Sequence, residues 1–266
     1  SFCVEVERVV RVPARPDSTV GVDIGVKHLA VLSTGELVPN PRHLSNAQRR
    51  LRRLARSMSR KTGPDQRTGQ RPSNRWQRAN ARLGRAHASV AHLRRDRLHK
   101  LTTQLCQQHG AIVVEDLNVA GMLRNRRLAR HIADAGFGEL RRQLTYKTQW
   151  NGGRLFIADR WYPSSKTCSG CGAVKTKLAL SERTYTCETC GLAIDRDNNA
   201  ALNLAALAAE YDTAGSGPVA ARGADQKTRV RGQVAVKREP GTATAGQTGT
   251  VSPQGGTTDR VLTRVH

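Results

Sequence analysis

The sequence predicts an α/β fold: a mixed sheet into which a basic helical hairpin and a small metal-binding ribbon are inserted. Three observations predict it. Apolar, β-branched runs at residues 19–24, 111–115 and 155–158 have the length and composition of strands, and stretches of helical periodicity separate each from the next. Cys168, Cys171, Cys187 and Cys190 fall into two pairs with metal-ligand spacing. The 266 residues give room for one sizeable core with a satellite module, since single domains commonly run to about 100–200 residues.

Residues 19–24 open the core, and 28–32 repeat their character. Ser33-Thr34-Gly35 is turn chemistry, so 36–38 returns as the third strand of an antiparallel meander, which Pro39 and Pro41 end. From 45 to 60, Leu51, Leu54 and Met58 recur at helical spacing among arginines, leaving one face to bury and one basic. Gly63, Pro64, Gly69 and Pro72 make 62–73 a loop. A longer helix is predicted over 74–108. Trp76, Leu83 and Val90 lie seven apart, with Ala79, Ala86 and Leu93 three residues after each, the seam of a helix hairpin spanning about 45–108.

Gly110 reads as the stop of that helix, and 111–115 as a buried strand with Glu115 and Asp116 at its exit. A helix over 138–150 and a strand over 155–158 follow, completing a first core segment at 1–163. The cysteine module fills 164–192. The last core helix, 193–211, sets Ala201, Leu204, Ala205 and Ala208 on one face. From 212 to 266 the chain is Gly, Ala, Thr, Pro and Gln with few large apolar residues, the composition of a disordered tail.

Lys plus Arg number 44 against 21 Asp plus Glu, a net charge of +23. A surplus this large calls for a polyanion, and arginine's planar fork suits phosphate, so DNA or RNA is the expected partner. Arg49, Arg50, Arg52, Arg53, Arg75, Arg78, Arg82 and Arg85 on the hairpin are the candidate contacts. No stretch approaches the ~18 apolar residues of a spanning helix, and Glu5 and Glu7 interrupt what a secretory signal would need. The chain reads as cytoplasmic, without a membrane partner. Cys3 and Cys106 read as small buried apolar residues.

Three acids occupy costly positions. Asp23 lies inside a strand between Val22 and Ile24, Glu115 closes the run Ile112-Val113-Val114, and Asp197 opens the last helix. A buried carboxylate needs a cation or strong hydrogen bonds. Should the three converge, they suit two divalent ions about 3.5–4 Å apart, one activating water and one stabilising a leaving oxygen, with magnesium or manganese matching all-oxygen ligation. Taken singly, each has a plainer role: Asp23 in a bulge or turn beside Gly25, Glu115 at a solvated strand end, and Asp197 as a helix N-cap.

The cysteine signal is sharper. Fifteen residues separate the pairs Cys168/Cys171 and Cys187/Cys190, the spacing of a four-cysteine zinc ribbon, with Gly170, Gly172 and Gly191 supplying backbone freedom. Four thiolates leave no open coordination position, so one structural zinc is expected.

GVDIGVKHLAVLSTG, IVVEDLNV, SSKTCSGCG with YTCETCG, and DRDNNAALNLA, over residues 20–208, stand in the order found in TnpB proteins of bacterial insertion sequences, relatives of the type V CRISPR nucleases. The sequence resembles that family. The resemblance implies an RNase H-like, RuvC-type nuclease core and an RNA-guided DNA endonuclease, often called a transposase, with Asp23, Glu115 and Asp197 as its acids and a zinc ribbon before the third. Asp197 matches the family's D-x-N-A-A pattern, and Asp195 is left to support the ribbon or the helix start. Family members carry a substantial region ahead of the first catalytic strand that grips guide RNA. Only 22 residues precede Asp23 here, which the resemblance reads as an N-terminal truncation. A non-catalytic nucleic-acid-binding remnant or repressor on the same fold is the alternative.

Overall fold

The computed structural model describes residues 12–179 and 181–213; the expected tail beyond 213, and Cys3, lie outside the described residues. The strands are β1 (Arg15–Ile24), β2 (His28–Leu32), β3 (Leu37–Pro39), β4 (His109–Glu115) and β5 (Arg154–Ala158), with a ribbon pair β6 (Thr184–Thr186) and β7 (Ala193–Asp195). The helices are α1 (His43–Ser59), α2 (Asn74–Gln108), α3 (Val119–Arg124), α4 (Ala129–Ala135), α5 (Phe137–Trp150) and α6 (Arg196–Thr213).

β1 to β5 form a mixed sheet in the order β3-β2-β1-β4-β5. β1, β2 and β3 pair antiparallel, as the turn chemistry at 33–35 predicts, whereas β1, β4 and β5 run parallel. Parallel pairing needs long crossovers, and the α1–α2 hairpin and α3–α5 supply them. β4, central and covered on both faces, is buried from His109 through Val114, which is why its sequence is a nearly unbroken apolar run.

Side-chain alternation divides the core. Val20, Val22, Ile112 and Val114 pack with Leu98, Leu101 and Leu105 of α2 and Leu140 and Leu144 of α5. Ala111 and Val113 face the other way, toward Leu204, Leu207 and Ala208 of α6. The sheet thus separates α2 and α5 from α6.

The structure corrects several expectations. Leu93 is 50 % exposed, because after Val90 the seam of α2 passes to Leu98, Leu101 and Leu105. A 3.6-residue helix drifts about 20° per heptad, so a strict seven-residue repeat leaves the contact face in a straight helix. Gly110 is no helix stop. α2 already ends at Gln108, and a Cβ at Gly110 would lie 1.6 Å from the Pro16 carbonyl oxygen, so glycine there lets β1 approach β4. The second ribbon strand runs to Asp195, three residues beyond the boundary expected at 192. α3 and α4 had no counterpart in the sequence reading. α4 brings the buried Asp134, whose two carboxylate oxygens each accept from the Leu44 N–H at 2.9 Å and satisfy the start of α1, 90 residues away. Among the described residues no helix is long and apolar enough to cross a membrane.

Candidate functional site

Strand alternation sets which acids meet. Gly21 faces α6 so closely that a Cβ there would lie 2.0 Å from the Ala201 carbonyl oxygen and 2.5 Å from the Ala205 nitrogen. Asp23, two residues on, shares that face. Glu115 shares the face of Ala111 and Val113, and the register pairs Val22 with Val114, so Asp23 and Glu115 stand beside each other at the C-terminal ends of adjacent parallel strands. Asp197 lies one helical turn before Ala201 and is delivered to the same place by α6. Electrostatics record the meeting: burial pushes the half-buried Asp23 carboxyl up to about 8, and Glu115 and then Asp197 add to the rise, against Arg196, with a smaller push from Asp195.

Asp195 and Asp197 divide the work at the helix start. The Asp195 Oδ1 accepts from the N–H groups of Asp197 at 2.9 Å and Asn198 at 3.1 Å, the hydrogen bonds of an N-cap. Asp195 therefore fills the capping role that the sequence alone offered to Asp197, and the Asp197 carboxylate is left free of it. Ser164, 4 % exposed, donates its hydroxyl to the Glu115 carboxylate. Asp116 turns elsewhere, to Arg141 and to Arg160 at 2.8 Å. Burial works against its charge, but these arginines outweigh it and hold the carboxyl below its ordinary value.

The acid cluster suits a hard cation. Its donors are all oxygen, burial first and the neighbouring acids second favour the protonated form of Asp23, and the Asn198 Oδ1 beside Asp197 in the chain is buried without a hydrogen-bond partner among the described residues.

The four cysteines gather from both ends of the ribbon, and their sulfurs all lie within 4.8 Å of one another. Cys168 Sγ is 3.6 Å from Cys190 Sγ, and Cys171 Sγ is 3.6 Å from Cys187 Sγ. A tetrahedral ion with metal–sulfur bonds of about 2.3 Å requires about 3.8 Å between sulfurs, so the cage fits a metal. The knuckles are alike: Gly172 N–H donates to the Cys168 carbonyl at 2.9 Å, Gly191 N–H to the Cys187 carbonyl at 3.0 Å, and both glycines take φ +76°. Gly170, expected to share that role, does not adopt positive φ. The Cys190 backbone N–H holds the Cys187 thiol down to about 6 against the effect of burial, with help from Thr189. At Cys171 the Ala173 backbone acts in the same sense, but the Cys190 thiol, then desolvation, then the Cys187 and Cys168 thiols outweigh it and push the group up to about 12.

Arg49, Arg50, Arg52, Arg53, Arg75, Arg78, Arg82 and Arg85 are all exposed on the hairpin, and none is ion-paired with an acid among the described residues. α1 holds no acid at all, and α2 none before Asp96.

Residues 1–126 match a family model described as “Probable transposase”, and residues 137–204 match the model “Cas12f1-like, TNB domain”. A protein of Streptomyces pristinaespiralis named “Putative RNA-guided DNA endonuclease” is 42 % identical over 229 residues, 86 % of this chain and 54 % of that protein. The InsQ protein of Escherichia coli K12, which bears the same name, is 35 % identical over 219 residues, 76 % of this chain and 52 % of its own length. The chain belongs to the TnpB family. It spans about half the length of these relatives. In fold it resembles a chain of a Cas12f1–sgRNA–target DNA complex, with TM-score 0.51 at 16 % identity over 74 % of this chain and 51 % of that one.

This TnpB-family chain uses residues that the sequence reading passed over. Ser164 on Glu115 is one. Asn199 and Asn203, 0 % and 4 % exposed, tie α6 to the ribbon: Asn199 Nδ2 donates to the Thr167 carbonyl at 2.6 Å while its Oδ1 accepts from Ser169 N–H at 3.0 Å, and Asn203 Nδ2 donates to the Ser164 and Thr167 carbonyls at 2.7 Å. Their signal was available, since two asparagines four apart on the buried side of a helix need buried partners.

Proposed function

We propose that this chain is the catalytic part of an RNA-guided DNA endonuclease of a transposable element, acting in the cytoplasm, with a RuvC-type, RNase H-like core that hydrolyses DNA phosphodiester bonds. One observation carries the reading: carboxyls from β1, β4 and α6 share one face of the sheet at the strand ends, and Asp23 feels the other two.

Asp23, Glu115 and Asp197 hold two magnesium or manganese ions. Among the described residues the group gathered within 4.8 Å is that of the four thiols, and the three acids would be ligands shared between two ions. Such a pair, when bound, activates water for attack and stabilises the departing oxygen. The chain orients the ligands. Ser164 fixes Glu115, the Asp195 cap fixes the first turn of α6 behind Asp197, and Asp23, whose carboxyl burial holds in its protonated form, would give up that proton as a metal ligand. The ribbon binds one structural zinc, with all four positions taken by sulfur. The eight hairpin arginines grip the backbone of DNA or guide RNA without reading sequence.

Plasmid nicking in magnesium tests the reading. Asp23→Ala, Glu115→Ala and Asp197→Ala should each abolish nicking with zinc content and nucleic-acid affinity preserved, and Asp195→Ala should cost less than Asp197→Ala. Equal nicking, or equal lack of it, by the wild-type chain and Asp23→Ala would make a non-catalytic nucleic-acid-binding protein the better account.

A further inference from the structure

Residues 159–164 join β5 to the ribbon, and both ends of this loop are tied to Glu115. Ala158, the last residue of β5, is the ladder partner of Glu115, and Ser164 donates its hydroxyl to the Glu115 carboxylate. Trp161 stands three residues from each, so its Cα lies within about 10 Å of both.

The loop is fixed on either side of it. Trp161 N–H donates to the Asp159 Oδ1 at 2.7 Å, and Tyr162 N–H to the Asp159 carbonyl at 3.1 Å. Arg160 is held by the Asp116 carboxylate at 2.8 Å and by the Asp116 carbonyl at 3.3 Å. Tyr162 packs on the core of Phe156, Leu204 and Leu207. With Arg160 held at the surface by Asp116 and Tyr162 packed on the core, the Trp161 side chain stands outside, 85 % exposed. The chain's other tryptophans are engaged: Trp76 covers Gly63, and Trp150 meets Tyr146 edge-on at 4.4 Å.

An indole presented on a pinned turn contributes nothing to the core, and its exposure costs the fold what its burial would return. On a chain of net charge +23 the partner is a polyanion. The polyanion that also offers flat aromatic faces is a nucleic acid, and only unpaired bases leave those faces open. We propose that Trp161 is a stacking platform for an unpaired nucleobase of the strand held at the acid cluster. The site takes a base close along the strand to the phosphodiester held at Glu115. It orients the strand and contributes no chemistry, so Trp161 is a positioning residue. The placement at the acid cluster rests on the nuclease reading; the stacking does not.

The test uses the full chain in magnesium-free buffer, so that binding is read apart from cleavage. The probes are a single-stranded hexathymidine, an abasic strand of the same length and charge, a hexauridine and a blunt-ended DNA duplex without a loop. Hexathymidine should bind the wild type more tightly than the abasic strand by roughly 5- to 150-fold, the range of one base–aromatic stack, and should quench tryptophan emission. Trp161→Ala should lose that gap and that quenching while binding the abasic strand as before, and Trp161→Phe should keep most of the gap. Quenching by hexauridine as well assigns the platform to unpaired strands of either sugar. A Trp161→Ala variant that keeps the full gap, or a duplex that quenches as strongly as the single strand, overturns the proposal. Failure of the nuclease reading would appear instead as nicking that survives Asp23→Ala, with the stacking signal intact.

Discussion

Gly21→Ala should damage this protein far more than one methyl group suggests. The added Cβ would sit 2.0 Å from the Ala201 carbonyl oxygen, 2.5 Å from the Ala205 nitrogen and 3.0 Å from the Leu204 Cβ. The first two are backbone atoms of α6 and cannot rotate away, so the helix must retreat by more than about 1 Å to reach ordinary contact, near 3.5 Å. That retreat loosens Leu204 and Leu207 from Val113 and Phe156. Overpacking of this kind costs about 1–3 kcal/mol, occasionally more, and here a whole helix moves, so about 3 kcal/mol is expected. Gly84 is the control, because in the middle of α2 a Cβ there meets nothing within 4 Å. Gly84→Ala should stabilise the protein by about 0.5–1 kcal/mol through helix propensity. At about 2–4 °C per kcal/mol for a domain of this size, zinc-saturated protein followed by circular dichroism should melt about 6–12 °C lower with Gly21→Ala and slightly higher with Gly84→Ala. Asp197 should leave Asp23 as α6 retreats, lowering the Asp23 pKa. A Gly21→Ala protein that melts with the wild type would mean that α6 is not seated on β1, and the route that brings Asp197 to the acid cluster would fail with it.

Four further outcomes are expected. Without magnesium, the folded Asp23 pKa of about 8 stands above its ordinary 3.8, so the native state keeps a proton that the unfolded chain has lost; stability should fall as pH rises from about 4 to 8, and Asp23→Asn should flatten that slope in urea titrations. By the same linkage, magnesium binding at pH 7 should release close to one proton at Asp23, readable by calorimetry in buffers of different ionisation enthalpy, and a buffer-independent heat would contradict it. Asn203→Ala takes the side-chain donor from the Ser164 carbonyl, while the Thr167 carbonyl keeps the one from Asn199, and at about 1–3 kcal/mol for the group left unsatisfied it should destabilise the protein and speed proteolysis at 159–167 without loss of zinc. Stripping zinc with a chelator should expose Tyr185, now 0 % exposed, and deprotect the amides of β6 and β7, while those of β4 keep their protection; unchanged exchange in the ribbon would remove zinc as its organiser.

Much of this architecture was legible before any coordinates. The turn at 33–35 carried the meander, the period of Leu51, Leu54 and Met58 carried α1, and the helix expected over 74–108 is α2. These are local signals, set by backbone preference and by the spacing of apolar side chains. Glu115 was expected at the exit of a buried strand, and its meeting with Asp23 on the face of Ala111 and Val113 required the parallel register. What escaped was non-local. Asp134 as the cap of α1, Ser164 on Glu115 and the close approach behind Gly21 join residues far apart in sequence through contacts that no spacing encodes. At Asp195 and Asp197 both residues suit a helix start, and only the hydrogen bonds tell the cap from the free carboxylate.

The central claim is that Asp23, Glu115 and Asp197 form one metal site, and anomalous scattering from manganese-soaked crystals tests it most directly. The account predicts two manganese peaks about 3.5–4 Å apart, bonded to carboxylate oxygens of all three residues and absent from Asp23→Ala crystals. Manganese bound through Asp195 with Asp197 turned away would correct the third ligand, and manganese that leaves Asp23 and Glu115 untouched would contradict the claim.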